Sequence, residues 1–193
     1  MKLIRTLMLA SLFSVACSGG RGTQAPHDPV LRPEVFFEGQ TIGRGVLVFR
    51  DGTVDRRFEV SSCGIKSGSG DVDIEQTIRF DDGEVRTRRW TLEQTSAHEY
   101  RGTLSGASGP VRATAKDGVL SISYRMSGTA FARMKQSVYL QPGGQAAINT
   151  GTVRVLGVVV RRLHEVIEIT GRGECQTEEA FGPVGVTAAS GRG

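Results

Sequence analysis

The chain has 193 residues, of which 38% are apolar, so its length is typical of one domain with tails and its composition excludes wholesale disorder. Glycine is abundant at 26 residues but follows no three-residue period, which excludes collagen. The net charge is +4, yet no run of basic residues is longer than two, so we expect no nucleic-acid partner.

The N-terminus has the pattern of a secretion signal. Lys2 and Arg5 form a charged start, and a short apolar run extends from Leu7 to Ala16. Ten such residues cannot cross a hydrocarbon core of about 30 Å, which needs about 20 helical residues. We therefore predict that residues 1–16 are a signal peptide and not a membrane span.

A cysteine, Cys17, directly follows this segment. The sequence from Ser14 to Cys17 resembles a bacterial lipobox, in which the cysteine receives a diacylglycerol and becomes the first residue. This predicts a lipoprotein attached to a membrane by N-terminal acyl chains. Ser18 resembles an outer-membrane address, so we expect a periplasm-facing lipoprotein of the bacterial outer membrane. The alternative is an ordinary signal peptide followed by an incidental cysteine.

The rest of the chain divides by composition. Residues 17–33 are rich in glycine, proline and polar side chains and predict a flexible tether. From residue 34 to 175, glycine-containing turns recur roughly every 10 to 20 residues between β-branched segments that alternate apolar and polar side chains. This predicts an all-β antiparallel sandwich or barrel. Residues 176–193 are expected to be a flexible tail.

Two hairpins can be aligned from the sequence. A two-residue turn at Asp117–Gly118 puts three apolar pairs on one face: Ala115 with Leu120, Ala113 with Ile122, and Val111 with Tyr124. A three-residue turn at residues 81–83, with Gly83 in the left-handed conformation, pairs Ile74 with Trp90 and Val72 with Leu92. Residues 155–170 fit both helical and strand spacing, and their β-branched content favours a strand.

These alignments place arginines beside apolar side chains. Arg56 alternates with Phe58 and Val60, and Arg86 and Arg88 share a face with Trp90 and Leu92. Because arginine is costly to bury unpaired, this pattern indicates a wet interior or an anionic head group. The alternative is that the arginines lie on the solvated face. The predicted ligand-binding residues are Arg56, Arg86, Arg88, Ile74, Trp90 and Leu92.

No catalytic motif is present in the sequence. The three histidines, His27, His98 and His164, are scattered, and we expect neither a metal nor a cofactor. Glu34, Glu38 and the Asp81–Asp82 pair are conceivable acid–base groups, although acids in turns usually serve the turn. A lipid-modifying enzyme is therefore the third choice for function, and no catalytic residue is predicted.

Several segments together resemble a known family. They are Pro33 to Gly39, the Asp-Asp-Gly-Glu turn with Arg89–Trp90, Tyr139 to Gln141, and Asn149. Over residues 33–170 the chain is similar to DUF3833, a bacterial lipoprotein family of unknown function. The resemblance implies a small antiparallel meander barrel, lipocalin-like or calycin-like, of about eight to ten strands. The Gly-x-Trp signature of true lipocalins is absent near the first strand.

The same resemblance suggests a disulfide and a function. Many lipocalins tie their tail to the barrel, and Cys63 and Cys175 resemble such a pair in an oxidising compartment; the alternative is two free thiols. We expect a protein that binds or carries a small amphiphile, a fatty acid or phospholipid. A structural or protein-interaction module without a ligand is the alternative, and no protein partner can be named.

Overall fold

The computed structural model describes residues 31–68, 70–173 and 175. One short helix, α1 (Pro33–Phe36), precedes ten strands. The strands are β1 (Gly39–Phe49), β2 (Val54–Ser67), β3 (Asp71–Phe80), β4 (Val85–Gln94), β5 (Glu99–Leu104), β6 (Val111–Lys116), β7 (Val119–Arg125), β8 (Ala132–Leu140), β9 (Ala146–Val155) and β10 (Val158–Gly171).

The strands form one closed barrel. Each strand pairs antiparallel with the next, and β1 also pairs with β10, so no edge is left open. The all-β class and the meander barrel are confirmed, with the strand number at the top of the expected range. The alternation in each strand directs every second side chain into the core that the closed sheet surrounds.

Both predicted hairpin registers are confirmed. Ile74 pairs with Trp90, Val72 pairs with Leu92, and Gly83 has φ 86°. In the β6–β7 hairpin, Ala115 pairs with Leu120 and Ala113 with Ile122, across a turn in which Asp117 and Gly118 both have positive φ. Val111 and Tyr124 are buried in the same core.

The ambiguous segment at 155–170 is a strand, as its composition favours, but it begins with a turn. Leu156 and Gly157 connect β9 to β10 with φ 50° and 85°. This turn was not predicted, because leucine at a positive φ is uncommon and is no recognisable turn signal.

The two ends of the barrel differ. At one end, α1 and the residues around it close the barrel, with Leu31, Phe36 and Phe37 in the core. Leu31 and Pro33 are buried, although the sequence analysis assigned them to the tether. Their apolar surface packs under the barrel, so the folded region begins earlier than residue 34. The opposite end, here called the mouth, carries the β1–β2, β3–β4, β5–β6, β7–β8 and β9–β10 loops.

Candidate functional site

The barrel encloses a cavity of about 440 Å³. It extends from Phe37 at the closed end to Thr129 and Arg161 at the mouth. Its volume lies within the range of about 300–1,000 Å³ that is usual for small-molecule sites. Most of its wall is apolar, and the apolar side chains include Leu47, Phe58, Val60, Ile78, Ile122, Met134, Val138, Val153, Leu163 and Ile167.

All six residues that the sequence analysis proposed for ligand binding line this cavity: Arg56, Arg86, Arg88, Ile74, Trp90 and Leu92. For the five residues on β3 and β4, the shared face follows from the β3–β4 register, and Arg56 joins them from β2. Trp90 is 7% exposed, and its indole Nε1 donates to Gln76 Oε1 at 2.7 Å. Gln76 in turn donates to Ser62 Oγ at 3.1 Å. These two hydrogen bonds link β4 through β3 to β2 along the cavity wall.

Two of the three arginines are already paired at the mouth. The Arg56 guanidinium donates to Asp82 at 2.6 Å and to Glu84 at 2.7 Å, and it lies 3.7 Å from the centre of the Phe80 ring. Arg86 forms an ion pair with Glu84 and is about half exposed. The β3–β4 turn therefore neutralises both arginines with its own carboxylates. Hydrogen bonds from the backbone N–H of Glu84 and from Arg56 lower the pKa of Asp82, so the Asp82 carboxyl is held in its ionised form.

Arg88 lies deeper and differs in its surroundings. It is partly buried, and among the residues that the structure describes it forms no ion pair. The electrostatic neighbours of Arg88 are the Tyr124 hydroxyl and the Glu165 carboxyl. Burial raises the pKa of Tyr124, and the charge of Arg88 opposes that rise. Arg88 is therefore a cation available to a ligand inside the cavity.

Glu165 is the principal residue that the sequence analysis missed. Burial raises the pKa of its carboxyl to about 7, while a hydrogen bond from Asn149 Nδ2 at 2.8 Å opposes the rise. Glu165 alternates with Leu163 and Ile167, which both face the core, so the strand pattern could have placed it inside. Asn149 has a buried Oδ1 without a hydrogen-bond partner in the described part of the chain.

A second acid, Glu34, lies at the closed end of the barrel. Glu34 is 0% exposed, and it accepts hydrogen bonds from the Tyr100 hydroxyl at 3.0 Å and from Arg32 Nε at 2.6 Å. Burial, followed by the contact with Glu34, raises the pKa of Tyr100 to about 12. Glu34 lies outside the cavity lining, and its hydrogen bond from Tyr100 anchors α1 to β5.

The structure also places the remaining candidates. Cys63 and Cys175 form a disulfide with their Cα atoms 5.5 Å apart, which ties the end of the described chain to β2. His98 and His164 are exposed and lie outside the cavity wall.

Cys17, the signal peptide, most of the tether and the tail from 176 lie outside the described residues. Within those residues, no cluster of three potential metal ligands occurs. None of their helices has the length and hydropathy that crossing a membrane requires.

Several solved structures are similar to this barrel, among them a phycobiliprotein lyase and a redesigned barrel. The S-type phycobiliprotein lyase CPES from Guillardia theta matches with a TM-score of 0.54 at 6% identity, over 72% of this chain and 92% of that one. The redesigned β-barrel mFAP1, bound to DFHBI, matches with a TM-score of 0.40 at 9% identity, over 72% of this chain and 100% of that one. A TM-score this low supports no conclusion about this protein. The similarity to the lyase concerns the fold alone.

The sequence comparisons identify the family. No curated protein matches the chain. A family model described as "Protein of unknown function (DUF3833)" matches residues 11–168, which is most of the sequence. The chain therefore belongs to the DUF3833 family.

Proposed function

We propose that this barrel binds one small amphiphile with an acidic head group, such as a fatty acid or a phospholipid, and carries it in the bacterial cell envelope. The observation that supports this most strongly is the combination of an apolar cavity of about 440 Å³ with Arg88, which forms no ion pair among the described residues and whose neighbouring carboxyl, Glu165, has a pKa raised by burial to about 7. A barrel filled with side chains would favour a structural module without a ligand.

Arg88 is the residue that we assign to the head group. A guanidinium can hold a carboxylate or phosphate with two parallel hydrogen bonds. The Tyr124 hydroxyl and the unpaired Oδ1 of Asn149 add a donor and an acceptor for the polar end of the ligand. Arg56 and Arg86 remain predicted contacts at the mouth, where the carboxylates of Asp82 and Glu84 compete with a ligand for them.

The apolar part of the ligand would contact the wall. Phe37, Ile74, Leu92 and Val138 line the closed-end half of the cavity, and their side chains offer no hydrogen-bonding group. Asn149 pairs with Val138 across β8 and β9, so its amide lies beside this apolar wall. An aliphatic chain would contact the apolar side chains while its polar end stays near Arg88 and Asn149. This combination favours an amphiphile over a sugar or a nucleotide.

The envelope location is part of the same proposal. The sequence from Ser14 to Cys17 supports lipidation of Cys17, and Ser18 supports retention at the outer membrane. Acyl chains on Cys17 would keep the barrel close to a source of lipid. Both statements rest on the N-terminal sequence pattern.

A titration tests the ligand class. Trp90 is the single tryptophan of the chain and lines the cavity, so its fluorescence reports occupancy. We expect the full chain to bind palmitic acid and also, more weakly, hexadecanol. Arg88→Gln should weaken palmitic acid binding about tenfold or more, because a shielded charged hydrogen bond contributes roughly 1.5–3 kcal/mol. The same variant should change hexadecanol binding little.

Arg86→Gln is the matched control, since Arg86 is half exposed and already paired with Glu84. It should weaken palmitic acid binding less than Arg88→Gln does. The proposal would be contradicted if Arg88→Gln lost affinity for palmitic acid and for hexadecanol equally. It would also be contradicted if the parent protein bound neither ligand.

A further inference from the structure

One half of the mouth exposes apolar loop tips. Phe131, at the end of the β7–β8 loop, is 74% exposed, and Leu156, in the β9–β10 turn, is 73% exposed. Val158, just beyond that turn, is 51% exposed. Because β8 pairs with β9, these tips are neighbours on the rim. Phe131 and Leu156, the two most exposed large apolar side chains of the described barrel, therefore lie next to each other at the mouth.

The backbone at these tips is unusual as well. Phe131 has φ 60° and Leu156 has φ 50°, in the left-handed region that bulky side chains rarely adopt. Asparagine or glycine would occupy such positions at lower conformational cost. The chain thus keeps large apolar side chains at solvent-exposed positions where neither the core nor the backbone requires them.

A row of arginines lies directly behind the tips. Arg125 pairs with Arg133, and Arg133 pairs with Arg154, so three exposed guanidiniums stand side by side across β7, β8 and β9. None of the three forms an ion pair within the described ranges. Like charges placed directly opposite each other on a sheet are destabilising. An anionic partner would remove that repulsion.

The charge is uneven around the barrel. Residues 111–155, which span β6 to β9, contain six basic side chains and a single acid, Asp117, which lies in the turn at the closed end. In the other half of the mouth, the carboxylates of Asp81, Asp82 and Glu84 in the β3–β4 turn are paired with Arg57, Arg56 and Arg86. One half of the mouth therefore carries unpaired basic groups beside apolar tips, whereas the charges of the other half are largely balanced.

We propose that this half of the mouth, here called the docking rim and formed by Phe131, Leu156, Arg125, Arg133 and Arg154, binds the surface of an anionic lipid bilayer. Phe131 and Leu156 each lie two residues from an arginine of the row, which is about 7 Å along a strand. Apolar side chains at an interface enter the head-group boundary by about 5–10 Å. The spacing thus brings the arginines level with lipid phosphates while the apolar tips enter the membrane.

The uneven charge sets the orientation. The carboxylates of the β3–β4 turn are already paired with arginines, so the unpaired arginines of the docking rim should turn the β7–β10 side toward an anionic surface. In that orientation the mouth of the cavity opens next to the bilayer. The docking rim does not depend on the ligand proposal, because vesicle binding is measured with no ligand added.

The test uses the full chain carrying Cys17→Ser, which cannot be acylated, in sedimentation with vesicles of equal parts phosphatidylcholine and phosphatidylglycerol. Phe131→Asn/Leu156→Asn should reduce vesicle affinity at least tenfold, because both apolar tips are lost. Both substitutions suit the backbone, since asparagine tolerates the left-handed region and an asparagine directly before Gly157 forms a favoured hairpin turn. Arg125→Gln/Arg133→Gln/Arg154→Gln should reduce affinity by roughly fivefold per arginine.

Matched controls lie elsewhere on the barrel. Ile65→Thr removes a 64% exposed apolar side chain on β2, and Arg44→Gln/Arg89→Gln/Arg101→Gln removes the same charge from other exposed positions. All variants share the same N-terminal segment, so only differences among them are compared. Both control variants should bind the vesicles as the parent does.

The proposal would be overturned if the rim variants bind the vesicles as tightly as their controls do. It would equally be overturned if the parent binds a soluble polyanion but shows no rim-dependent vesicle binding, or if the rim substitutions abolish a dimer and leave vesicle affinity unchanged.

Discussion

The carboxyl group of Glu165 on β10 lies against the backbone of Gly43 on β1, in the space that a Cβ at position 43 would occupy. Gly43 pairs with Ile167, two residues from Glu165, so the two strands meet at this point of the barrel wall. The glycine provides room for an acid that faces the interior. The position of Glu165 inside the cavity therefore depends on a residue without a side chain.

A double-mutant cycle should reveal this dependence. Gly43→Ala would crowd the Glu165 carboxyl and should lower the free energy of unfolding by about 1–3 kcal/mol, as overpacking usually does. In a Glu165→Ala background the same change should cost clearly less, because the crowded atoms are gone. Denaturant unfolding of the four proteins measures the difference. An equal cost in both backgrounds would show that Glu165 is not what fills the space.

The pKa of Glu165 predicts a pH dependence of stability. Burial raises this pKa to about 7 in the folded protein, against 4.5 as the ordinary value. Below pH 4.5, the Glu165 carboxyl is protonated in both the folded and the unfolded protein, and its raised pKa contributes its full stabilisation of the fold. As the pH rises from about 5 through 7, the unfolded state loses its proton first, and stability is lost by up to about 3 kcal/mol.

Glu165→Gln should abolish this part of the pH dependence, because glutamine does not titrate. Unfolding free energies measured at pH 5 and pH 8 compare the two proteins directly. The affinity for an acidic ligand should also fall in the parent above about pH 7, since an ionised Glu165 repels a carboxylate. If the parent and the variant lose stability in parallel, the raised pKa is refuted.

The disulfide should contribute substantially to stability. Cys63 and Cys175 are separated by 112 residues in sequence, and cross-links over such long loops contribute up to about 4–5 kcal/mol through chain entropy. We expect Cys63→Ser, Cys175→Ser and the double variant to lose similar amounts of unfolding free energy. Alkylation followed by mass measurement should find both thiols protected in the parent. Two reactive thiols there would contradict the pairing.

Much of the barrel could be predicted because turn chemistry fixes register. The Asp-Asp-Gly turn determines which residues of β3 and β4 are opposite one another, and this placed Trp90 and Arg88 on the inner face. The turn at Leu156 and the buried Leu31 were missed, since neither carries a local signal in the sequence. Both depend on contacts with distant parts of the chain.

The pairing of the arginines could not be read from the sequence. Alternation places Arg56, Arg86 and Arg88 on one face, but only the folded turn shows that Asp82 and Glu84 reach Arg56 and Arg86. Likewise, Glu165 and Gly43 come together only when the last strand, β10, closes on the first, β1. The availability of Arg88 is a property of the closed barrel.

Membrane attachment should depend on Cys17. If the lipobox-like sequence directs acylation, Cys17→Ser should move the protein from the membrane to the soluble fraction after a high-salt wash. The wash is needed because salt weakens electrostatic contacts between the docking rim and lipid. Immunoblots of fractionated cells make the measurement. A Cys17→Ser protein that still migrates as an acylated species would contradict this prediction.

Native mass spectrometry of the full chain with Cys17→Ser, purified without detergent, shows whether the barrel carries a ligand. We expect a population of the parent carrying one small amphiphile, identified by mass after release, and a clearly lower occupancy in Arg88→Gln than in Arg86→Gln. A parent protein found only at its ligand-free mass, and remaining so after incubation with palmitic acid, would show that the cavity does not bind such an amphiphile.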